Sequence, residues 1–184
     1  MKNKIAVFGG GCFWCTEAVF KRLKGVHSVV SGYSGGGSMD KPTYEQVSSG
    51  STGHAEVIKI EYDPEQIRFE DLLNVFFSSH DPTTLNKQGN DVGTQYRSVI
   101  YYSSPEQKVQ AETFIKELEQ EKVFEQPIVT ELKQLGNFYP AEEYHQNFYD
   151  NNKNYPYCTF VIDPKITKLR QKFAYLLKPE TNEH

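Results

Sequence analysis

Near its start the chain places Ile5-Ala6-Val7-Phe8 directly before Gly9-Gly10-Gly11 and Cys12. A run that is apolar on both faces belongs in the middle of a sheet, covered on both sides. The three glycines end that strand and allow a sharp turn without a Cβ clash. The residues from about Phe13 to Lys24 then predict a helix, which Gly25 terminates. A central strand, a tight turn and a helix within the first 25 residues commit the chain to helices packed on a sheet.

The rest of the chain continues the alternation. His27–Ser31 predicts a second strand, residues 32–38 a loop, and the segment from Pro42 through about Ser49 a short helix. His54–Tyr62 alternates as a strand does. Phe69, Leu72, Leu73, Phe76 and Phe77 follow helical spacing and predict a helix over Arg68–Ser79. A long loop is expected from His80 to Thr94, then a strand over Tyr96–Ser103 and a helix over Pro105–Glu121, with proline in its first turn. Ile128–Leu132 reads as a strand and Ala141–Asn151 as a short helix. Ile166, Leu169, Phe173, Leu176 and Leu177 mark a last helix. The pattern, strands alternating with helices and some long loops, fits an α+β sandwich built around a split βαβ core. A doubly wound α/β sheet is the second choice. With no repeat or linker in 184 residues, one catalytic domain over 1–184 is expected.

A formal charge of −4 with no basic cluster argues against nucleic acid and against a charged membrane surface. No stretch is long and apolar enough to span a bilayer or to serve as a signal-peptide core. A cytoplasmic monomer with reduced thiols is therefore expected. Three cysteines, an odd number, disfavour a disulfide framework.

Cys12 stands between a buried strand and a helix start, where free N–H groups and the helix dipole favour an anion. Such a position predicts a thiol pKa lowered to roughly 3.5–7.5. Cys12 and Cys15 form a CxxC, which reads as a dithiol pair one helical turn apart. Half of a zinc site is a weaker reading, since only Cys158 and scattered histidines could complete it. In the strand over His54–Tyr62, Glu56 shares a face with Ile58, Ile60 and Tyr62, while Val57, Lys59 and Glu61 share the other, solvated one. Glu56 thus points toward the core at the strand's beginning, and burial there would raise its pKa.

Several motifs occur in a fixed order: Gly11-Cys12-Phe13-Trp14, Gly32-Tyr33-Ser34-Gly35-Gly36, Pro42-Thr43-Tyr44, Gly53-His54-Ala55-Glu56, His80-Asp81-Pro82, Gly89-Asn90-Asp91 and Gly93-Thr94-Gln95-Tyr96-Arg97-Ser98. This ordered set closely resembles the A-type peptide methionine sulfoxide reductases, over most of the chain. The resemblance implies reduction of the S epimer of methionine sulfoxide, free or in proteins, by a thiol with no metal or flavin, and a ferredoxin-like two-layer α+β sandwich with extra helices and long loops. By position it makes Cys12 the nucleophile, Glu56 the acid, and Tyr44 and Tyr96 the phenols that hold the sulfoxide oxygen. Phe13 and Trp14 match walls for the methyl group, and Asp91 a polar residue beside the pocket. The chain departs from the commonest pattern at Cys15, where many members carry glycine, and lacks a glycine-rich tail with a further cysteine. Both Cys15 and Cys158 remain candidates for the resolving thiol. Cys158 is favoured slightly, because its Tyr-Pro-Tyr-Cys segment could be mobile.

A sulfoxide sulfur is a poor electrophile until its oxygen is protonated or strongly hydrogen-bonded. Lowering a thiol pKa from about 8.5 to about 6.5 raises the thiolate fraction at pH 7 about 25-fold, and reduced nucleophilicity takes back about eightfold. A placed general acid contributes roughly 10²–10⁴-fold, so the acid should dominate. The expected sequence is attack by Cys12, protonation by Glu56, a cysteine sulfenic acid, condensation with a second thiol, and reset by an external dithiol, thioredoxin by the resemblance. Two rival readings need no Glu56, Tyr44 or Tyr96: a general disulfide oxidoreductase on Cys12 and Cys15, and a zinc-binding interaction module.

Overall fold

The computed structural model describes residues 2–37 and 41–180. Its centre is a sheet of six strands: β1 (Lys4–Gly9), β2 (Val26–Ser34), β3 (Ala55–Tyr62), β6 (Val99–Tyr102), β7 (Glu131–Gln134) and β8 (Phe138–Pro140). A separate two-residue ribbon pairs β4 (Lys87–Gln88) with β5 (Asp91–Val92). The large sheet runs β7-β6-β1-β3-β2-β8, antiparallel throughout except for the β6–β7 pair. The opening apolar run is therefore central, between β3 and β6, as its two-sided hydrophobicity requires. The chain is a mixed α+β fold.

Helix α1 (Phe13–Phe20) crosses from β1 to β2, and α3 (Phe69–Ser79) crosses from β3 toward β6. A short α2 (Tyr44–Ser48) lies between β2 and β3, and α4 (Pro105–Gln120) joins β6 to β7. Two more helices follow, α5 (Phe148–Asn151) and α6 (Asp163–Lys172). One sheet face, carrying Phe8, Tyr33, Ile58, Ile60 and Tyr62, shares a single core with residues of α1, α3, α4 and α6. Phe8 stacks on Phe76 of α3 at 4.8 Å between ring centres, and Phe77 stacks on Phe114 of α4 at 5.7 Å. Period-two alternation predicts a solvated opposite face. Instead Val7, Ala55, Val57, Val99 and Tyr101 form a second small core, with Leu135 and Phe138 packed on it.

Several elements differ from the sequence expectation, each for a long-range reason. α1 ends at Phe20 rather than Lys24, because the N–H of Lys24 pairs with the Leu176 carbonyl and Leu23 bridges Leu177. β2 continues through Ser34, since β8 supplies an edge partner for residues expected in a loop. The last residue of that loop, Ser38, lies outside the described residues. The strand placed over Ile128–Leu132 starts at Glu131, because the N–H of Val129 donates to the Pro82 carbonyl instead. The helix placed over Ala141–Asn151 is broken. Asn147 takes a left-handed φ of 54°, and its N–H donates to Glu17 at 2.7 Å. Tyr96 lies in a turn at Thr94–Tyr96 rather than in β6. Cys158 opens a π-helical turn, Cys158–Ile162, that leads into α6.

Gly32 lets β8 approach. A Cβ at that position would stand 2.4 Å from the Phe138 ring and 2.5 Å from the Tyr139 carbonyl oxygen, which belongs to backbone and cannot swing away. Gly32→Ala is expected to destabilise the protein by about 2–3 kcal/mol, the range of an overpacked core. A urea titration against the parent protein measures it, and an unchanged midpoint would contradict the close fit.

Candidate active site

The turn after β1 builds the site. Gly11 adopts φ +93°, a left-handed conformation that favours glycine, with its Cα close under the Gln88 side chain. The chain then enters α1 with Cys12 at the N-cap and no side-chain cap hydrogen bond. Beside this turn runs the beginning of β3. Glu56, only 1% exposed, accepts a hydrogen bond at Oε1 from the N–H of Phe13 at 3.1 Å. The predicted inward face of β3 therefore holds, and it brings the carboxyl to the residue after Cys12. Burial raises the Glu56 pKa to about 8 against the lowering effect of the Phe13 N–H, and the nearby Asp91 carboxylate acts in the same direction as burial.

Tyr44 and Tyr96 belong to the same electrostatic neighbourhood. Burial raises both phenols and the Glu56 charge raises them further, so both remain O–H donors. Tyr44 begins α2, where its N–H donates to Glu142 at 3.1 Å. The same Glu142 carboxylate accepts from the Tyr33 and Tyr144 hydroxyls. The acidic, aromatic segment after β8 thus borders the site.

The two thiols behave differently from expectation. Cys12 is not lowered. Burial pushes its thiol well above the ordinary value, and the adjacent Cys15 sulfur and the Glu56 charge act the same way. A helix N-terminus does less for an anion than water when the sulfur is desolvated beside a carboxyl group. Cys15, one turn on, is held below its ordinary value by hydrogen bonding with Cys12, opposed by burial and helped by Lys165 and the Tyr157 hydroxyl. Its sulfur lies 3.5 Å from Tyr157 Oη, and that hydroxyl donates to Asp91 Oδ2 at 2.7 Å. Cys158 is fully buried at the start of its π-helical turn, although Tyr155 before it and Phe160 after it are exposed, and burial raises its thiol.

Cys12 and Cys15 open onto a cavity of about 390 Å³ lined by Gln88, Gly89, Asn90, Asp91, Tyr157, Phe160, Val161 and Lys165 as well. Phe13 and Trp14 are not on its wall. Phe13 is fully buried, 5.7 Å from Tyr33 and 5.1 Å from His145 between ring centres. Trp14 stacks on Phe148 at 3.6 Å and donates from Nε1 to His145 Nδ1 at 3.0 Å. Tyr157 meets the indole edge-on at 5.8 Å. Two more of the chain's scattered histidines are tied down too. His54 Nδ1 accepts from the Gly36 N–H, and His80 bonds the Phe76 carbonyl and the Ser98 hydroxyl.

Sequence reasoning singled out Cys12, Cys15, Cys158, Glu56, Tyr44, Tyr96, Phe13, Trp14 and Asp91, of which Cys12, Cys15 and Asp91 line the cavity. It missed Tyr157, His145 as the indole's acceptor, Glu142 and Lys165. Each lies over 100 residues beyond Cys12 in sequence, and no local spacing signals it.

A pair of thiols on one cavity, with a carboxyl group kept neutral and phenol donors in the electrostatic neighbourhood of the first sulfur, makes up the equipment of a thiol-dependent reductase for an oxygen-bearing substrate. The peptide methionine sulfoxide reductase family model matches residues 4–176. A peptide methionine sulfoxide reductase MsrA of Acinetobacter baumannii is 56% identical over 173 residues, 94% of this chain and 98% of that protein. One from Sulfolobus acidocaldarius is 57% identical over 170 residues, 92% of this chain and 95% of that protein. Among solved structures, reduced Mxr1 from Saccharomyces cerevisiae superposes with a TM-score of 0.78 at 34% identity, covering 85% of this chain and 90% of that one. Mxr1 in complex with Trx2 gives 0.55 at 26% identity, covering 80% of this chain and 85% of that one. The chain belongs to the peptide methionine sulfoxide reductase family, as the ordered motifs imply. Among the described residues no helix is long and apolar enough to cross a membrane.

Proposed function

We propose that the protein reduces the S epimer of methionine sulfoxide, with Cys12 as nucleophile and Glu56 as general acid. The carrying observation is the buried Glu56 carboxyl on the Phe13 N–H, next to the thiol. With a pKa near 8, about 90% of this group is protonated at pH 7, against about 0.2% at an ordinary glutamate. Oε1 is occupied by the Phe13 N–H, which leaves Oε2 to carry the proton toward a sulfoxide oxygen. Tyr44 and Tyr96 donate to the same oxygen. Phe13 and Trp14, packed against His145 and Phe148, back the start of α1 rather than line the cavity, and Asp91 orients Tyr157 across it.

In this reading Cys12 attacks sulfur, the S–O bond breaks as the oxygen passes to the enzyme, methionine leaves, and Cys12 becomes a sulfenic acid. Cys15 then condenses with it to a disulfide and water. The slight preference for Cys158 gives way to Cys15. Cys15 adjoins Cys12 on one helix turn and shares its cavity, whereas Cys158 is buried at the start of its turn with Cys15 as its charged neighbour. An external dithiol of the thioredoxin type resets the enzyme, a step supported by the yeast relative's complex with Trx2. One catalytic domain acting on free or protein-bound substrate, as a cytoplasmic monomer, completes the proposal. The order β6-β1-β3-β2 with two helical crossovers supports a ferredoxin-like core.

The test is single turnover of the reduced protein with separated sulfoxide epimers, followed by mass spectrometry. Methionine from the S epimer alone, with a link between residues 12 and 15 on peptide mapping, is expected. Reduction of both epimers at one rate, or no methionine, would overturn the assignment.

A further inference from the structure

The proposed reaction leaves one cation at the thiols unexplained. Lys165, in the first turn of α6, lines the cavity that holds Cys12 and Cys15. It also lines a narrow crevice behind Cys15, with Gly10, Thr16, Val19 and Ser79. Its ammonium is anchored by donating to the Ser79 carbonyl at 2.7 Å, at the last residue of α3. Two helices distant in sequence thus fix a positive charge where both spaces border Cys15. No other lysine or arginine lines either space.

We propose that Lys165 is a positioning residue for the second half of the reaction: it holds Cys15 as a thiolate aimed at the Cys12 sulfenic acid. This rests on the reading of Cys15 as the resolving thiol. In the step, an electron pair on the Cys15 sulfur forms the S–S bond and the S–O bond of the sulfenic acid breaks. The oxygen leaves as water after taking up a proton. Cys15 is oxidised, the sulfenic sulfur is reduced, and the sulfenic acid plus one thiol give one disulfide and one water.

The groups facing Cys15 make a cation useful there. Cys12 lies on its own helix, Glu56 on β3, Asp91 on β5, and Tyr157 and Cys158 on the segment before α6. The Asp91 charge disfavours a thiolate at Cys15, while Glu56, protonated at pH 7, opposes it only once ionised. Tyr157 supplies a hydroxyl at 3.5 Å, but it also bonds Asp91. Lys165 is the group in this set whose charge favours the anion; the hydrogen bond with Cys12 is the larger cause of the lowered Cys15 pKa, and the Lys165 charge acts in the same direction. The thiol that attacks second then differs from the one that attacks first. Cys12 is desolvated beside a proton donor, whereas Cys15 is kept ionised beside a cation.

The experiment compares Lys165→Gln, which keeps a donor for the Ser79 carbonyl without the charge, with Lys165→Arg, which keeps the charge. Reduced proteins undergo one turnover with methionine sulfoxide. Acid-quenched samples are then assayed for methionine, for free thiols and for the 12–15 disulfide across pH 5–10. An opposite charge at close range lowers a pKa by at least about one unit. Losing it cuts the thiolate fraction about tenfold, and higher nucleophilicity returns about threefold. In Lys165→Gln the lag between methionine release and disulfide formation should lengthen about threefold at pH 7. The pH midpoint of disulfide formation should rise by about one unit, and Lys165→Arg should restore both. An unchanged lag and midpoint in Lys165→Gln would overturn the role of Lys165. A 12–158 link in the parent protein would overturn the reading beneath it, and the peptide map separates the two failures. A purely structural role would lower the unfolding temperature without moving the midpoint, which would also overturn the proposal.

Discussion

Glu56→Gln should slow methionine release in a single turnover by about 10²–10⁴-fold while making the protein harder to unfold. Glutamine matches the shape of glutamate and keeps an acceptor for the Phe13 N–H, but it has no acidic proton to give. The stability gain follows from the raised carboxyl. Its folded-state pKa of about 8 lies above the ordinary value near 4.3, so the folded protein holds a proton that the unfolded chain has released. That contribution is fully present below the unfolded pKa and is lost as pH rises through the folded one. Between pH 5 and pH 8 the parent protein should lose about 2–4 kcal/mol from this group, and the glutamine variant should not. Urea titrations of both proteins at the two pH values measure the difference. Parallel pH dependences would mean that the carboxyl is not held neutral. In the parent protein the methionine-releasing step should also fall away as pH rises past about 8, where Glu56 ionises.

Cys12→Ser should give no methionine in a single turnover and should also stabilise the fold. A serine oxygen cannot form the sulfenic acid on which the later steps depend. Yet Cys12 occupies the N-cap of α1 with extended backbone angles, φ −59° and ψ 128°, and makes no side-chain cap bond. Serine is among the preferred residues there, and its hydroxyl can accept from the free N–H groups of the first turn. A gain of about 1 kcal/mol is expected, read from thermal unfolding of the reduced proteins. Turnover by the serine variant at the parent rate would remove Cys12 from the mechanism, and a loss of stability would contradict the open cap.

The two residues share a logic. One leaves a helix start uncapped, and the other carries an acid into the core. Local rules of stability would choose differently at both, and conflict of that kind is expected where chemistry is performed. It also explains why motif reading worked here. A triple glycine before a cysteine and a carboxylate on an apolar strand face are conspicuous because they are poor structural choices.

Local pattern alone determined the central position of β1, the turn into α1, the course of α3 and α4, and the inward direction of Glu56. Each depends on side-chain period and turn chemistry over a few neighbouring residues. Only the tertiary structure decided where α1 stops, because the Leu176 carbonyl captures a helix N–H. It alone decided that the 141–151 segment breaks at Asn147, whose N–H is taken by Glu17. It also decided the ionisation of the thiols. The helix start argued for an anion at Cys12, but burial beside Glu56 reversed that, while Lys165 and Tyr157 favour charge on Cys15 instead. Hydrogen-bond capture and desolvation depend on groups from about forty to more than a hundred residues apart in the chain, and no short window of sequence contains both partners.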